Sequence, residues 1–100
     1  MTTRRDARPF LAHHLRQRGD ERKDLNGADI HQLARWVENL PADDGRMARV
    51  EATEAIDYRD GSVNVGPEAT ALIEGWVGDA DTDLWLDRFA HVIERQYLDS

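Results

Sequence analysis

The chain has 100 residues, no cysteine and a formal net charge of −7 at pH 7. This length suits one domain with one hydrophobic core, and a sequence without cysteine excludes disulfides and thiolate metal sites. No apolar stretch approaches the roughly 18 residues that a membrane helix needs, and the first residues lack the apolar run of a secretory signal. We therefore expect a soluble, cytoplasmic protein that makes no membrane contact.

Charge is distributed unevenly along the chain. Residues 1–35 carry eight Arg or Lys and five Asp or Glu, whereas residues 36–100 carry five and fifteen. A cationic start on an anionic body limits which partners each part can attract, without identifying them. Twelve of the thirteen basic residues are Arg, a bias typical of GC-rich coding, and it indicates a bacterial or phage source.

The first residues are interpreted as a mobile basic arm. Residues 1–8 are polar and carry Arg4, Arg5 and Arg8, and such chain ends are poorly ordered unless something ties them down. The remainder, residues 9–100, is interpreted as a single helical domain.

Two helices are predicted next. Pro9 can open the first, because the first helical position needs no backbone donor, and Gly19 is its expected end. The charged residues 20–24 are expected to form a loop. Asn26 is the predicted N-cap of the second helix, and Pro41 is its expected end. Apolar residues of the second helix follow the 3.6-residue period: Ile30, Leu33, Val37 and Leu40.

The middle of the chain is ambiguous between helix and strand. Either Asp43 or Asp44 could cap a third helix over about residues 46–55, a stretch rich in good helix formers. Residues 46–58 also contain a strand-like alternation, so both interpretations stay open. Two short apolar runs around a Gly-containing turn predict a β-hairpin near residues 56–65.

The last two helices have the clearest patterns. Pro67 opens the fourth helix, and Gly78 is its expected end. The fifth helix runs to about residue 98 and has three candidate caps: Asp79, Asp81 and Thr82. Its broad apolar face is expected to be the centre of the core and contains Trp85, Leu86, Phe89, Val92, Ile93, Gln96 and Tyr97. Together these patterns predict a mainly α, compact four- to five-helix domain with a short hairpin.

The sequence contains no recognisable catalytic motif. Its only serines are Ser62 and Ser100, and no G-x-S-x-G, P-loop or G-x-G-x-x-G pattern occurs. We therefore expect a protein that is not an enzyme and that uses no cofactor.

One acidic segment resembles the opening of a calcium loop. An EF-hand loop that began at Asp79 would need Gly at its sixth position and Glu at its twelfth, where this chain has Leu84 and Ala90. The acids are better explained as helix caps. The four histidines lack the spacing of a metal site, and we predict none: His13, His14, His31 and His91.

Four residues are predicted to bind a partner. Asp83, Asp87 and Glu94 lie on one polar face of the fifth helix and form an acidic row, whereas Trp36 lies at the edge of the apolar face of the second helix. The leading hypothesis is a module that binds another protein, including a second copy of itself. The first alternative is an inhibitor of phage origin whose acidic face imitates nucleic acid and blocks a basic, nucleic-acid-binding protein. The second is a DNA-binding regulator that uses the Arg-rich arm, although the net charge disfavours direct nucleic-acid binding.

Overall fold

The computed structural model describes residues 5–76 and 81–98. The order of elements confirms the predicted mainly α fold with a short hairpin. The helices and strands are α1 (Arg8–Glu21), α2 (Leu25–Glu38), α3 (Gly45–Ala52), β1 (Ile56–Asp57), β2 (Ser62–Val63), α4 (Pro67–Glu74) and α5 (Thr82–Tyr97).

The N-terminal residues in the described part lie against the body. Helix α1 begins at Arg8, one residue before the predicted boundary. Ala7 is fully buried, and its N–H donates to Glu51 Oε1 at 3.1 Å. Residues 1–4 lie outside the described residues, so the mobility of the predicted arm stays a prediction.

Helices α1 and α2 pack against each other in antiparallel directions, with Arg16 beside Glu38 and Gly19 beside Gly27. Gly19, which was predicted to end α1, lies at the contact between the two helices. The helix continues past Gly19 to Glu21, and Gly19 is buried. A Cβ atom at Gly19 would lie 2.7 Å from the His31 ring and 3.0 Å from the carbonyl oxygen of Gly27. The prediction was wrong because glycine also permits a close approach between two helices, which sequence alone does not distinguish from a helix end.

The start and end of α2 also differ from the prediction. Asp24, rather than Asn26, is the N-cap, and its carboxylate accepts a hydrogen bond from the N–H of Gly27 at 3.3 Å. The helix ends at Glu38, so the chain leaves the helical conformation before Pro41. Both residue types at the start are good caps, and the one whose carboxylate reaches an unpaired N–H of the first turn prevails.

The segment that was ambiguous between helix and strand contains both: helix α3 ends at Ala52, and strand β1 begins at Ile56. Asp44 caps α3. The Thr53 hydroxyl donates to the Val50 carbonyl oxygen at 2.6 Å and accepts from the Ala55 N–H at 3.2 Å. Glu54 then takes a left-handed φ of 54°. These local contacts end the helix and turn the chain into β1, which pairs antiparallel with β2.

Helix α4 begins at Pro67 as predicted and ends at Glu74. The predicted end at Gly78 is wrong, because an earlier glycine, Gly75, is the C-cap. Gly78 itself lies outside the described residues, as does Asp79, one of the candidate caps of α5. Another of those candidates, Asp81, is the N-cap and accepts from the Leu84 N–H at 3.1 Å.

Helix α5 packs against α3 and α4, and its apolar face enters the core as predicted. Phe89 is fully buried, and its ring stacks on Trp85 with centroids 5.2 Å apart. Trp76, which follows α4, meets Trp85 edge-on at 6.0 Å. Tyr97 differs from the prediction because it is 41% exposed, and its hydroxyl donates to the Asn64 carbonyl oxygen.

Candidate interaction surface

The acidic row of α5 lies beside α3, and each of its carboxylates has an arginine partner there. Arg46 Nη1 is 3.0 Å from Asp83 Oδ1. Arg49 Nη1 is 3.5 Å from Asp87 Oδ1, and Arg49 Nε donates to Glu94. Asp83 and Asp87 remain largely exposed, with 75% and 61% of their side chains accessible. The row therefore offers carboxylates to solvent, although arginines offset part of its charge.

Both arginines are held in place by more than one acceptor. The pKa of Arg46 is raised above its ordinary value, first by its hydrogen bond to Asp44 and also by Asp83. The pKa of Arg49 is raised first by its hydrogen bond to Glu94. Because these cations stay charged and fixed, four carboxylates, namely the acidic row and Asp44, share this side of the molecule with two guanidinium groups. Its negative field is weaker than the row alone suggested.

Trp36 lies on a different helix from the acidic row. It is half-buried against the core, as predicted. Its helix, α2, packs mainly on α1, whereas α5 packs on α3 and α4. Trp36 and the acidic row therefore lie on helices with different main contacts, and the partner-binding role of each stays a prediction.

The arginines of the cationic first third mostly bind neighbouring parts of the chain. The Arg5 guanidinium lies 4.8 Å from the centre of the Tyr58 ring. Arg8 pairs with Asp6 at 2.7 Å and also donates to a backbone carbonyl. Three further arginines pair with glutamates of other helices: Arg16 with Glu38, and Arg18 and Arg22 together with Glu74. These contacts join α1 to the rest of the fold and leave fewer cations free for phosphate groups.

A groove between α4 and α5 is a feature that the sequence did not predict. It is a surface cavity of about 540 Å³, and its apolar floor comes from Ala71, Leu72 and Val92. An ion pair between Arg95 and Glu68 joins the two helices beside it. We call this cavity the α4–α5 groove; it is lined by Glu68, Ala71, Leu72, Asp87, Arg88, His91, Val92 and Arg95.

A smaller cavity of about 150 Å³ continues the α4–α5 groove toward the start of α5. The two cavities share Leu72 and Arg88. Trp76 and Trp85 line the smaller one, and within the described part of the chain their buried indole N–H groups have no hydrogen-bond acceptor. Leaving a buried donor without a partner costs about 1–3 kcal/mol. A hydrogen-bond acceptor that reached either indole N–H group at this end of the groove would therefore stabilise the structure.

Exposed apolar side chains also concentrate on α5. In the described residues, the large hydrophobic side chains that are exposed are Leu84 at 46%, Tyr97 at 41% and Leu98 at 58%, and two lie in α5 while Leu98 is its C-cap. Leu84 and Leu98 lie on the side of this helix that is otherwise polar. An apolar residue on the polar face of an amphipathic helix was the signal in the sequence that could have indicated this surface.

Residues 5–76 and 81–98 were searched for metal-binding groups and for membrane-spanning helices. No group of three or more His, Asp or Glu side chains there is arranged to hold a metal ion. None of the helices in that part is long and apolar enough to cross a membrane.

Comparisons with family models, with curated proteins and with solved structures give no match for this chain. Its function is therefore argued from the shape, charge and apolar character of its own surface.

Proposed function

We propose that this protein is a small protein-interaction module, not an enzyme, and that it binds its partner at the α4–α5 groove and the adjoining face of α5. One observation carries the proposal: within the described residues, Leu72 and Val92 line the α4–α5 groove, and the exposed Leu84 lines the smaller cavity that continues it. Contiguous apolar surface on an otherwise charged protein is typical of a binding site. We further propose that this role lies in the cytoplasm of a bacterial cell.

The charges around the groove indicate what the partner should carry. Arg95 is paired with Glu68, and Asp87 has Arg49 within 3.5 Å. The Arg88 side chain is exposed and has no hydrogen-bond or ion-pair partner in the described part of the chain. A partner with apolar side chains for the floor and a carboxylate for Arg88 would satisfy both kinds of group.

A matched pair of substitutions tests the proposed surface. Ala71→Arg places a long, charged side chain in the α4–α5 groove, whereas Ala28→Arg makes the same change at an exposed position of α2. Both positions are helical, and alanine and arginine have similar helix propensities, so neither variant should unfold. We expect tagged wild-type protein and the Ala28 variant to retain the same partner from an extract of the source organism, and the Ala71 variant to lose it. Equal retention by all three proteins would contradict the proposal.

The inhibitor hypothesis remains a second candidate because Asp83 and Asp87 are highly exposed. It requires that binding be governed by charge. A partner of this kind would dissociate steeply as salt concentration rises and would bind poorly to a variant with both aspartates replaced by lysine. Binding of a partner held by the apolar groove would be lost in the Ala71→Arg variant and would depend only weakly on salt concentration.

A further inference from the structure

We infer that a second copy of the same chain binds the exposed face of α5 beside the α4–α5 groove, with the two α5 helices packed side by side and parallel. This inference rests on the proposed function, because it names the partner for the α5 part of the proposed surface and leaves the groove floor to any further partner. The argument starts from a row of side chains that we call the α5 seam, namely Leu84, His91 and Leu98.

The seam follows one line along the outer side of the helix. Its members are seven residues apart, and seven residues make almost two full turns with a drift of about 20°. All three side chains are exposed. When two identical helices pack in register about a two-fold axis parallel to them, each seam residue meets its own counterpart. Leu84 would then contact Leu84 of the second copy, and Leu98 would contact Leu98, so that both leucines lose contact with water.

The charges beside the seam distinguish between the two possible directions. Asp87 and Glu94 lie on one side of His91, and Arg88 and Arg95 lie on the other, each roughly 40 to 60° around the helix. In a parallel pair, the two-fold axis brings the acidic side of one helix against the basic side of the other. In an antiparallel pair, it brings arginine against arginine and acid against acid. The charge pattern therefore favours the parallel arrangement.

The groups needed for the new contact are available in the single chain. Arg88 has no ionic partner among the described residues. Asp87 lies 3.5 Å from Arg49, but 61% of its side chain is accessible, so it can also face a second copy. Glu94 and Arg95 already have partners within the chain, Arg49 and Glu68. The principal new ion pair is therefore Arg88 with Asp87 of the second copy, and symmetry forms it twice.

The size of the contact sets its expected strength. Helix α5 has 16 residues and is about 24 Å long. One face of such a helix buries less than the roughly 800 Å² per partner that stable complexes bury. We therefore expect reversible association in the micromolar range or weaker, which is best measured at high protein concentration.

The first experiment measures the association state of the full chain by sedimentation equilibrium, from about 10 μM to about 1 mM, which covers the expected range of dissociation constants. We expect a monomer–dimer equilibrium. Leu84→Asp should weaken it at least tenfold, because the change puts two carboxylates face to face in an apolar contact. The fold should survive, since an acid is favourable in the first turn of α5. A protein that stays monomeric throughout, or a dimer that Leu84→Asp leaves intact, would overturn the inference.

The second experiment tests the parallel direction with a charge swap. We expect Asp87→Arg and Arg88→Asp each to weaken the dimer about fivefold, because the affected pair occurs twice, and the double variant to recover within about twofold of wild type. Neighbouring residues of one helix do not face each other, so recovery requires a contact between copies. Arg35→Asp makes the same charge change at an exposed position of α2 and should have little effect. A double variant weaker than either single variant would exclude the parallel pairing.

The two proposals can fail separately. A chain that is monomeric at every concentration refutes the second copy as occupant. The retention experiment with Ala71→Arg and Ala28→Arg still decides whether the groove binds a different protein.

Discussion

Replacing Phe89 by alanine should remove a large part of the stability of the fold. Phe89 is completely buried in α5, and its ring stacks on Trp85 with centroids 5.2 Å apart. The substitution loses the transfer free energy of an aromatic ring and leaves a cavity, which together cost about 3–5 kcal/mol in well-packed cores. Small domains have only about 5–15 kcal/mol of total stability, so the variant should be close to unfolding at moderate temperature.

The change can be measured by urea and thermal unfolding followed by circular dichroism. For a chain of this length, 1 kcal/mol corresponds to about 4–8 °C in Tm, and the expected decrease is therefore at least about 12 °C. Leu84→Ala is the matched control, because Leu84 lies on the same helix but is 46% exposed. It should cost less than about 1.5 kcal/mol, since only part of its apolar surface is buried. A Phe89 variant that unfolds like the control would mean that the packing described for α5 is wrong.

Two further predictions concern the helix contact and a helix cap. Gly27→Ala should destabilise the protein by about 1–3 kcal/mol, because its Cβ would lie 2.5 Å from the backbone oxygen of Arg22. The control is Gly45→Ala, whose Cβ meets nothing within 4 Å, so this variant should be neutral or stabilising. The denaturant midpoints of the two variants are compared, and equal midpoints would contradict the prediction. The pKa of Asp44 is lowered, first by its hydrogen bond from Arg46, so its contribution to stability is complete above its ordinary value of 3.8 and is lost as pH falls through the lower folded value. Asp44→Asn should therefore be less stable than wild type near neutral pH, and its free energy of unfolding should fall less steeply below about pH 4. Parallel plots of the free energy of unfolding against pH for the two proteins would contradict this.

The sequence predicted those parts of the fold that depend on local pattern. The apolar period of α5 placed Trp85, Phe89 and Ile93 in the core, where the structure finds them buried. Pro67 marked the start of α4 because its missing donor is harmless there. Both features are decided within a few residues along the chain, so no knowledge of neighbouring helices was needed.

The parts that the sequence did not predict depend on neighbours in space. Gly19 was expected to end α1, but its role is set by the approach of α2, which no local pattern reports. The acidic row was identified from α5 alone, and its partners Arg46 and Arg49 come from a helix whose position was unknown. The α4–α5 groove likewise exists only when two helices pack. For the same reason, charge on a single helix overestimated the field that a partner would meet.

The contact between α1 and α2 has a consequence for how this chain can change during evolution. Gly19 and Gly27 each have a backbone oxygen within 3.0 Å of the place where a side chain would begin, so almost any mutation there must separate the helices. Asp24, between them, supplies the cap that starts α2. A divergent descendant that keeps this helix pair should therefore preserve two glycines eight positions apart with a capping residue between them. Exposed positions nearby, such as Ala28, are not constrained in this way and should vary. The two glycines and the cap should therefore stay recognisable after the rest of the sequence has diverged.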